Sequence, residues 1–192
     1  MSEKIISSKR LCEAWGTLTE YSFQYRKPSG DLAEMSREVY DRGHAAAVLL
    51  CNQARDTVVL VRQFRPPAMI NGEYPYLLEA VAGVLDGDTP EACARKEAFE
   101  EAGIRITDLQ PVANAYGNPA ALTERVAMFT ATFEDDGRTK GGGLAEEQED
   151  IEVVEIPFEE AFAMIASGHI IDMKTIMLLQ AVKIERLLQP IS

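Results

Sequence analysis

The chain is short of cysteine, of histidine and of positive charge, and each shortage excludes a class of protein. It carries three cysteines in 192 residues, at Cys12, Cys51 and Cys93. The number is odd and no two form a C-x-x-C pair, so they build neither a disulfide framework nor a zinc knuckle. That usage fits a reducing compartment, the cytoplasm. Only two histidines are present. His44 has no legible role, and His169, directly after Gly168, reads as helix-end chemistry. Lys and Arg number 19 against 31 Asp and Glu, a formal net charge of −12. A nucleic-acid backbone or an anionic membrane would meet net repulsion, which argues against both as partners. An anionic substrate would need a local cation to reverse that field, and a divalent metal can supply it.

Long apolar runs are also missing. Nothing approaches the roughly 18 residues that cross a bilayer, and the N-terminal Met1-Ser2-Glu3-Lys4, followed by two isoleucines and then serines, lacks the apolar centre of a secretory signal. The remaining composition, 46% hydrophobic and 26% charged, is that of a soluble globular protein. Its length suits one domain with a small appendage.

Residues 17–26 set Tyr21, Phe23 and Tyr25 in alternation with polar neighbours, the period of a half-buried strand. Lys27-Pro28-Ser29-Gly30-Asp31 reads as a turn, after which 33–41 resume an extended pattern. We expect residues 1–42 to form an antiparallel β appendage of the kind that packs against a second subunit, and 43–192 to form the main α/β domain. There, 45–50 and 57–64 are core strands joined by a polar turn, Pro66-Pro67 stops the second, and 76–82 reads as one strand running into Gly83. Strands at 109–114, 127–133 and 151–155, a Gly-rich acidic loop at 135–148, and amphipathic helices at 158–167 and 174–188 complete the pattern.

The chemistry concentrates on one helix, predicted over 90–102. Thr89 can cap it, Pro90 suits its first position, and Gly103 stands just beyond its last turn. At about 100° per residue, Glu97, Glu100 and Glu101 share one face, while Ala92 and Phe99 point roughly the other way, toward a core. Such a face is also what a solvated helix surface presents. Gathering three carboxylates nevertheless costs stability unless a cation neutralises them, and carboxylate oxygens are the hard ligands Mg2+ prefers. The preceding Ala82-Gly83-Val84-Leu85-Asp86-Gly87-Asp88 has small residues that let a main-chain carbonyl approach an ion closely.

Gly83 together with Lys96-Glu97-Ala98-Phe99-Glu100-Glu101-Ala102-Gly103-Ile104 resembles the signature of the Nudix hydrolase family. The interval from Gly83 to Glu97 is one residue shorter than the family pattern, Lys96 replaces its arginine, and its first glutamate falls on Thr89, or on Asp88 if the loop carries the deletion. The resemblance implies an α/β/α sandwich around a mixed sheet and Mg2+ as cofactor. It further implies that Glu97, Glu101 and the Ala82 carbonyl bind metal, that Glu100 binds or supports it as part of the catalytic set, and that Gly83 and Val84 lie against substrate.

Segments outside that signature resemble the GDP-mannose pyrophosphatase branch, itself similar to ADP-ribose pyrophosphatases. They are Arg37-Glu38-Val39-Tyr40-Asp41-Arg42-Gly43, Val59-Leu60-Val61-Arg62-Gln63-Phe64-Arg65, Gly141-Gly142-Gly143, Glu149-Asp150-Ile151-Glu152 and Asp172-Met173-Lys174-Thr175. This likeness implies a homodimer that exchanges its N-terminal strands, and hydrolysis of a nucleoside diphosphate sugar, GDP-mannose giving GMP and mannose 1-phosphate. It places Trp15 near the nucleobase, Arg37 and Glu38 at partner-subunit contacts, Arg65 on the diphosphate, and Glu124 and Lys174 on further parts of the substrate. In the charge run Glu146-Glu147-Gln148-Glu149-Asp150, Glu149 aligns with a metal-binding position and Glu147 is the candidate base. Charge runs are also ordinary solvated loops, and Trp15, Arg65, Glu124 and Lys174 each admit a plain packing or surface role. ADP-ribose hydrolysis and a non-catalytic nucleotide-sensing module are the alternatives on the same scaffold.

Overall fold

The computed structural model describes residues 3–134, 136, 138–143 and 150–188. The chain divides into two compact units, Met1–His44 with Tyr116–Arg125 and Ala45–Ala115 with Val126–Ser192.

The first unit is an antiparallel sheet of β1 (Lys4–Glu13), β2 (Thr17–Arg26) and β3 (Leu32–Asp41), in that order. Alternation announces β2 and β3. Every residue of β1 is exposed, so it carries no burial period, and its strand character was not legible. The 116–125 segment attaches to the end of β3 by main-chain bonds, Tyr40 N to Ala121 O (2.8 Å) and Thr123 N to Tyr40 O (3.2 Å). The Thr123 hydroxyl adds a bond to Asp41 (2.7 Å). That bond and the Gly43 amide hold the Asp41 carboxyl below its usual range. No described residue of this unit is buried.

The second unit is built on a seven-stranded mixed sheet. Its strands are β4 (Ala45–Asn52), β5 (Thr57–Phe64), β6 (Tyr76–Glu79), β7 (Val81–Val84), β8 (Gln110–Tyr116), β9 (Arg125–Thr132) and β10 (Glu152–Pro157). The path is β10-β5-β4-β9-β8, with β6 paired to β5 and β7 to β4. Strands β4 and β9 run parallel; the pairs β10–β5, β4–β5, β4–β7 and β5–β6 are antiparallel. The helices are α1 (Pro66–Ile70), α2 (Pro90–Glu100), α3 (Phe158–Ala166) and α4 (Met173–Leu188).

Strands β4 and β5 are apolar along nearly their whole length because both sheet faces are covered. Val48, Leu50, Val59 and Val61 pack with Cys93, Ala94 and Ala98 of α2 on one side. Ala47, Leu49, Val58 and Leu60 pack with Phe158 of α3 and Leu178, Leu179 and Val182 of α4 on the other. Each fully buried Leu or Val contributes about 1.5–3 kcal/mol, so these two layers fix the sheet that carries the site.

Two local features depart from the sequence reading. The single strand expected over 76–82 is two, because the chain changes partner at Ala80, leaving β5 and joining β4. The Ala80 N–H, between the two pairings, donates instead to Thr175 Oγ1 at 2.7 Å. Pro66-Pro67 does end β5, but it also opens α1, where proline is tolerated in the first turn.

Helix α2 begins as predicted, with the Thr89 hydroxyl accepting from Ala92 N at 3.2 Å and Pro90 in the first turn. Its orientation is a correction. The buried face is Cys93, Ala94, Glu97 and Ala98, while Ala92 is exposed and Phe99 is only half-buried beneath Arg105. The glutamates therefore do not lie opposite the core. Two of them form part of the face pressed onto the sheet.

Candidate active site

The turn from β7 into α2 is tight. Asp86 (φ 45°) and Gly87 (φ 94°) both take left-handed backbone, and Asp88 N closes the turn on Leu85 O at 2.7 Å. Asp is among the few residues with a side chain that tolerate this region. Thr89 follows as the helix cap. Val84 and Gly83 are tied back to the helix, since Cys93 Sγ lies 3.5 Å from each of their carbonyl oxygens. Burial pushes the Cys93 thiol up to about 11, so at neutral pH it keeps its proton and donates.

Against this turn sit two carboxylates one helical turn apart, Glu97 (8% exposed) and Glu101 (1% exposed). The Glu97 carboxylate occupies the space above Gly83 that a Cβ would fill; a methyl there would collide with Oε1 and Cδ. Glu101 Oε2 accepts the Ala82 N–H at 3.2 Å. Glu100 turns outward, half-buried, and lies 3.7 Å from Lys96. Among the described residues no three His, Cys, Asp or Glu side chains gather into a ready-made ion cage. Mg2+ does not ask for one: it binds through one or two carboxylates and keeps water and phosphate oxygens for its other positions. Two nearly buried hard-oxygen donors against a stretch of main chain without bulky side chains fit such an ion. Glu147 and Glu149 lie outside the described residues.

The glycine run has a geometric reason. Thr139 N bonds Gly103 O (2.8 Å), Gly142 N bonds Glu101 O (2.8 Å) and Gly143 N bonds Glu100 O (3.1 Å), satisfying carbonyls that the end of α2 leaves without partners. Gly141 (φ 64°) lies so close that a Cβ would strike the main chain of Glu101 and Ala102. Ile151 N returns to Gly142 O at 3.4 Å. Gly142, Gly143 and, through Gly142, Ile151 are thus tied to the helix end that carries Glu100 and Glu101.

Arg65 and Lys174, expected on the substrate, converge on a residue the sequence reading missed. Glu79 is 2% exposed. Arg65 grips it with Nε (2.6 Å) and Nη2 (3.0 Å), and Lys174 Nζ bonds its Oε2 and Asp172 Oδ1 at 2.9 Å. Asp172 Oδ2 accepts from Thr175 N (2.9 Å) and from its hydroxyl (2.5 Å). Burial alone would raise the Glu79 carboxyl, but Arg65 and Lys174 outweigh it and hold it below the usual range. Burial likewise works against charge on both cations, and Glu79 together with Asp172 more than compensates. Arg65 also feels the Glu101 charge, which ties this cluster to α2. The one available signal was a lone Glu in the apolar run Tyr76 to Val81, since buried carboxylates occur almost only where they are paired.

Trp15, Arg37, Glu38 and Glu124 belong to the first unit. Trp15, the chain's only tryptophan, is 79% exposed, and the Arg42 guanidinium stacks 3.7 Å from its ring centre. Arg37 and Glu38 are exposed on β3, opposite Tyr21 and Glu20. Glu124 is half-buried.

Sheet, turn and buried glutamates together define a Nudix domain. The family model of the NUDIX domain matches residues 41–178, and the chain belongs to the Nudix family. Residues 4–40 match a second model, the GDP-mannose pyrophosphatase NudK N-terminal domain. Curated relatives called GDP-mannose pyrophosphatase are similar over nearly the full length. That of Pectobacterium atrosepticum is 46% identical over 92% of this chain and 91% of its own, and that of Yersinia pestis 46% over 96% and 94%. That of Yersinia enterocolitica is 45% identical over 98% and 100%. A solved structure described as an ADP compounds hydrolase superposes with a TM-score of 0.75, covering 96% of this chain and 94% of that one at 16% identity, and shows the shared fold. The resemblance read from Gly83 to Ile104 and from the outlying segments is borne out.

Proposed function

We propose that this protein hydrolyses the diphosphate bridge of a nucleoside diphosphate sugar, with GDP-mannose as substrate and GMP and mannose 1-phosphate as products. The observation that carries this reading is the 46% identity to GDP-mannose pyrophosphatases across more than nine-tenths of both chains, joined to a site that can assist such a cleavage. Glu97, Glu101, the Ala82 carbonyl and Glu149 would hold Mg2+. When bound, the metal lowers the pKa of a coordinated water and neutralises charge on the diphosphate. Arg65 would set its guanidinium fork on a phosphate, with Lys174 beside it. Gly83 and Val84 would offer main chain to the substrate, and Glu100 would support the neighbouring ligands. Glu147 would take the proton from the attacking water as the P–O–P bridge opens to two phosphate monoesters.

The first unit would complete the site from a second copy of the chain, with Trp15 near the base, Arg37, Glu38 and Glu124 at subunit and substrate contacts, and the whole acting as a cytoplasmic homodimer. Supporting this, three strands without one buried residue cannot pay their ordering cost alone. Initial rates on a panel of nucleotide sugars with Mg2+, including ADP-ribose, test the assignment. GDP-mannose should give the highest kcat/KM. A preference for ADP-ribose would displace the substrate, and tight binding with no hydrolysis would make the protein a nucleotide sensor.

A further inference from the structure

The Arg65–Glu79–Lys174–Asp172 cluster is costly to bury, and its arrangement does more than neutralise charge. A buried ion-pair network is seldom the most stabilising choice for a core, since apolar residues of similar volume often serve as well or better. Here the inner end is closed and the outer end is open. The Glu79 side chain is 3% exposed, while Arg65 is 37% and Lys174 17% exposed. Glu79 uses Nε and Nη2 of Arg65. This fork–fork pairing fixes the plane of the guanidinium and leaves Nη1 outside the pair. Lys174 Nζ is held between Glu79 and Asp172, and Asp172 is itself fixed by two bonds from Thr175. The two carboxylates balance the two cations, so the cluster offers an anion aimed N–H groups and little net field.

Building on the function proposed above, we infer that Glu79 is a positioning residue of the diphosphate site, aiming the outward edge of Arg65 and the ammonium of Lys174 at the phosphates without touching substrate itself. Glu79→Gln adds one positive charge to the cluster. If the cations act only through their field, diphosphate binding should tighten; if Glu79 aims them, binding should weaken.

The test compares wild type, Glu79→Gln, Glu79→Asp, Arg65→Gln and the Glu79→Gln/Arg65→Gln pair. It measures kinetics on GDP-mannose with Mg2+, calorimetric binding of methylenediphosphonate with Mg2+, and thermal unfolding. Supporting partners of this kind are worth roughly 10–100-fold. Glu79→Gln should therefore lower kcat/KM and weaken methylenediphosphonate by at least about tenfold, and should cost clearly less once Arg65 is already Gln, the remainder passing through Lys174. Glu79→Asp retains the charge but is one methylene shorter, so it should shift both in the same direction. It also carries the test if Glu79→Gln fails to fold. Unchanged or tighter binding, additive effects in the pair, or a loss confined to the unfolding temperature would overturn the inference. The two readings fail separately. A wild type inactive on every nucleotide sugar that still binds methylenediphosphonate in a Glu79-dependent way sinks the proposed function and keeps the positioning role. An active wild type whose Glu79 variants match it does the reverse, and a wild type that neither turns over nor binds overturns both.

Discussion

Gly83→Ala separates folding from chemistry at this site. Gly83 lies in β7 opposite Ala46 with φ outside the left-handed region, so its backbone suits alanine. The obstacle is the Glu97 carboxylate. To restore ordinary contact of about 3.4 Å, the Glu97 oxygen, 2.1 Å from the added Cβ, must retreat by about 1.3 Å, and a misplacement of about 1 Å at a reacting centre already costs roughly 100-fold. Because the atoms in the way, Oε1, Cδ and Cγ, all belong to one side chain and none to main chain, a change of rotamer can clear them and the fold should tolerate the change. Pushing Glu97 off its rotamer costs about 0.5–1.5 kcal/mol, and replacing glycine returns about 0.4–1 kcal/mol through the unfolded chain. The unfolding temperature should therefore stay within about 4 °C of wild type, while kcat/KM on GDP-mannose falls about 100-fold, near 3 kcal/mol of transition-state stabilisation. The Mg2+ concentration for half-maximal rate should rise. Steady-state kinetics across a Mg2+ titration, with calorimetry of the same samples, measures both quantities. A Gly83→Ala enzyme with wild-type rates and Mg2+ dependence would refute the placement of Glu97 as a metal ligand.

Other substitutions probe neighbouring parts. Gly141→Ala should do the opposite and lose stability, because it combines left-handed backbone with a clash against main chain; strain of this kind costs about 1–3 kcal/mol, read as a lowered unfolding temperature. Glu101→Gln should cost about 100–1000-fold in kcat, the range for removing one group that stabilises developing charge, with circular dichroism unchanged; near-normal turnover would refute its role. Glu155 tests the pH response. Burial pushes its carboxyl up, but the Thr57 hydroxyl, Arg138 and Arg55 bring it down to about 2. Its contribution to stability is therefore present above the ordinary value of 4.5 and is lost as pH falls toward 2. Denaturant titrations should show Glu155→Gln flattening the pH dependence in that window and leaving the slope above about pH 5 unchanged. Cys51 and Cys93 are buried, and burial pushes both thiols up to about 11. A disulfide reagent at about pH 8 should leave both unlabelled until the protein is denatured.

The sequence shows the core strands and the caps of α2 because each has a local cause: continuous apolar runs for β4 and β5, and Thr89-Pro90 and Gly103 for the helix. The Gly83-to-Ile104 segment singled out Glu97 and Glu101, the two glutamates of α2 and its end that pack against β7. Their environment was not legible, because a helical wheel ranks Ala92 and Phe99 as more apolar than Glu97 and Glu101, whereas tertiary packing buries the glutamates and leaves Ala92 in water. The split at Ala80 was hidden for a similar reason: partner choice between β4 and β5 is a long-range matter, and Tyr76 to Val84 reads as one extended run. Glu79 escaped because its partners, Arg65 and Lys174, stand 14 and 95 residues away in sequence. Taken singly, each of those cations reads as a contact for substrate.

The bond from Ala80 to Thr175 bears on how short this protein can be made. Helix α4 lies far along the chain from the site glutamates and looks dispensable, yet its first turn supplies the hydroxyl that fills the gap where one strand pairing gives way to the next. Glu79 stands on one side of that crossing, and Ala82, whose amide reaches Glu101, on the other. Trimming the chain before Asp172 would strip a layer from the sheet and also unseat the strand that carries both Glu79 and the main chain meeting Glu101, so a minimal working enzyme has to keep α4.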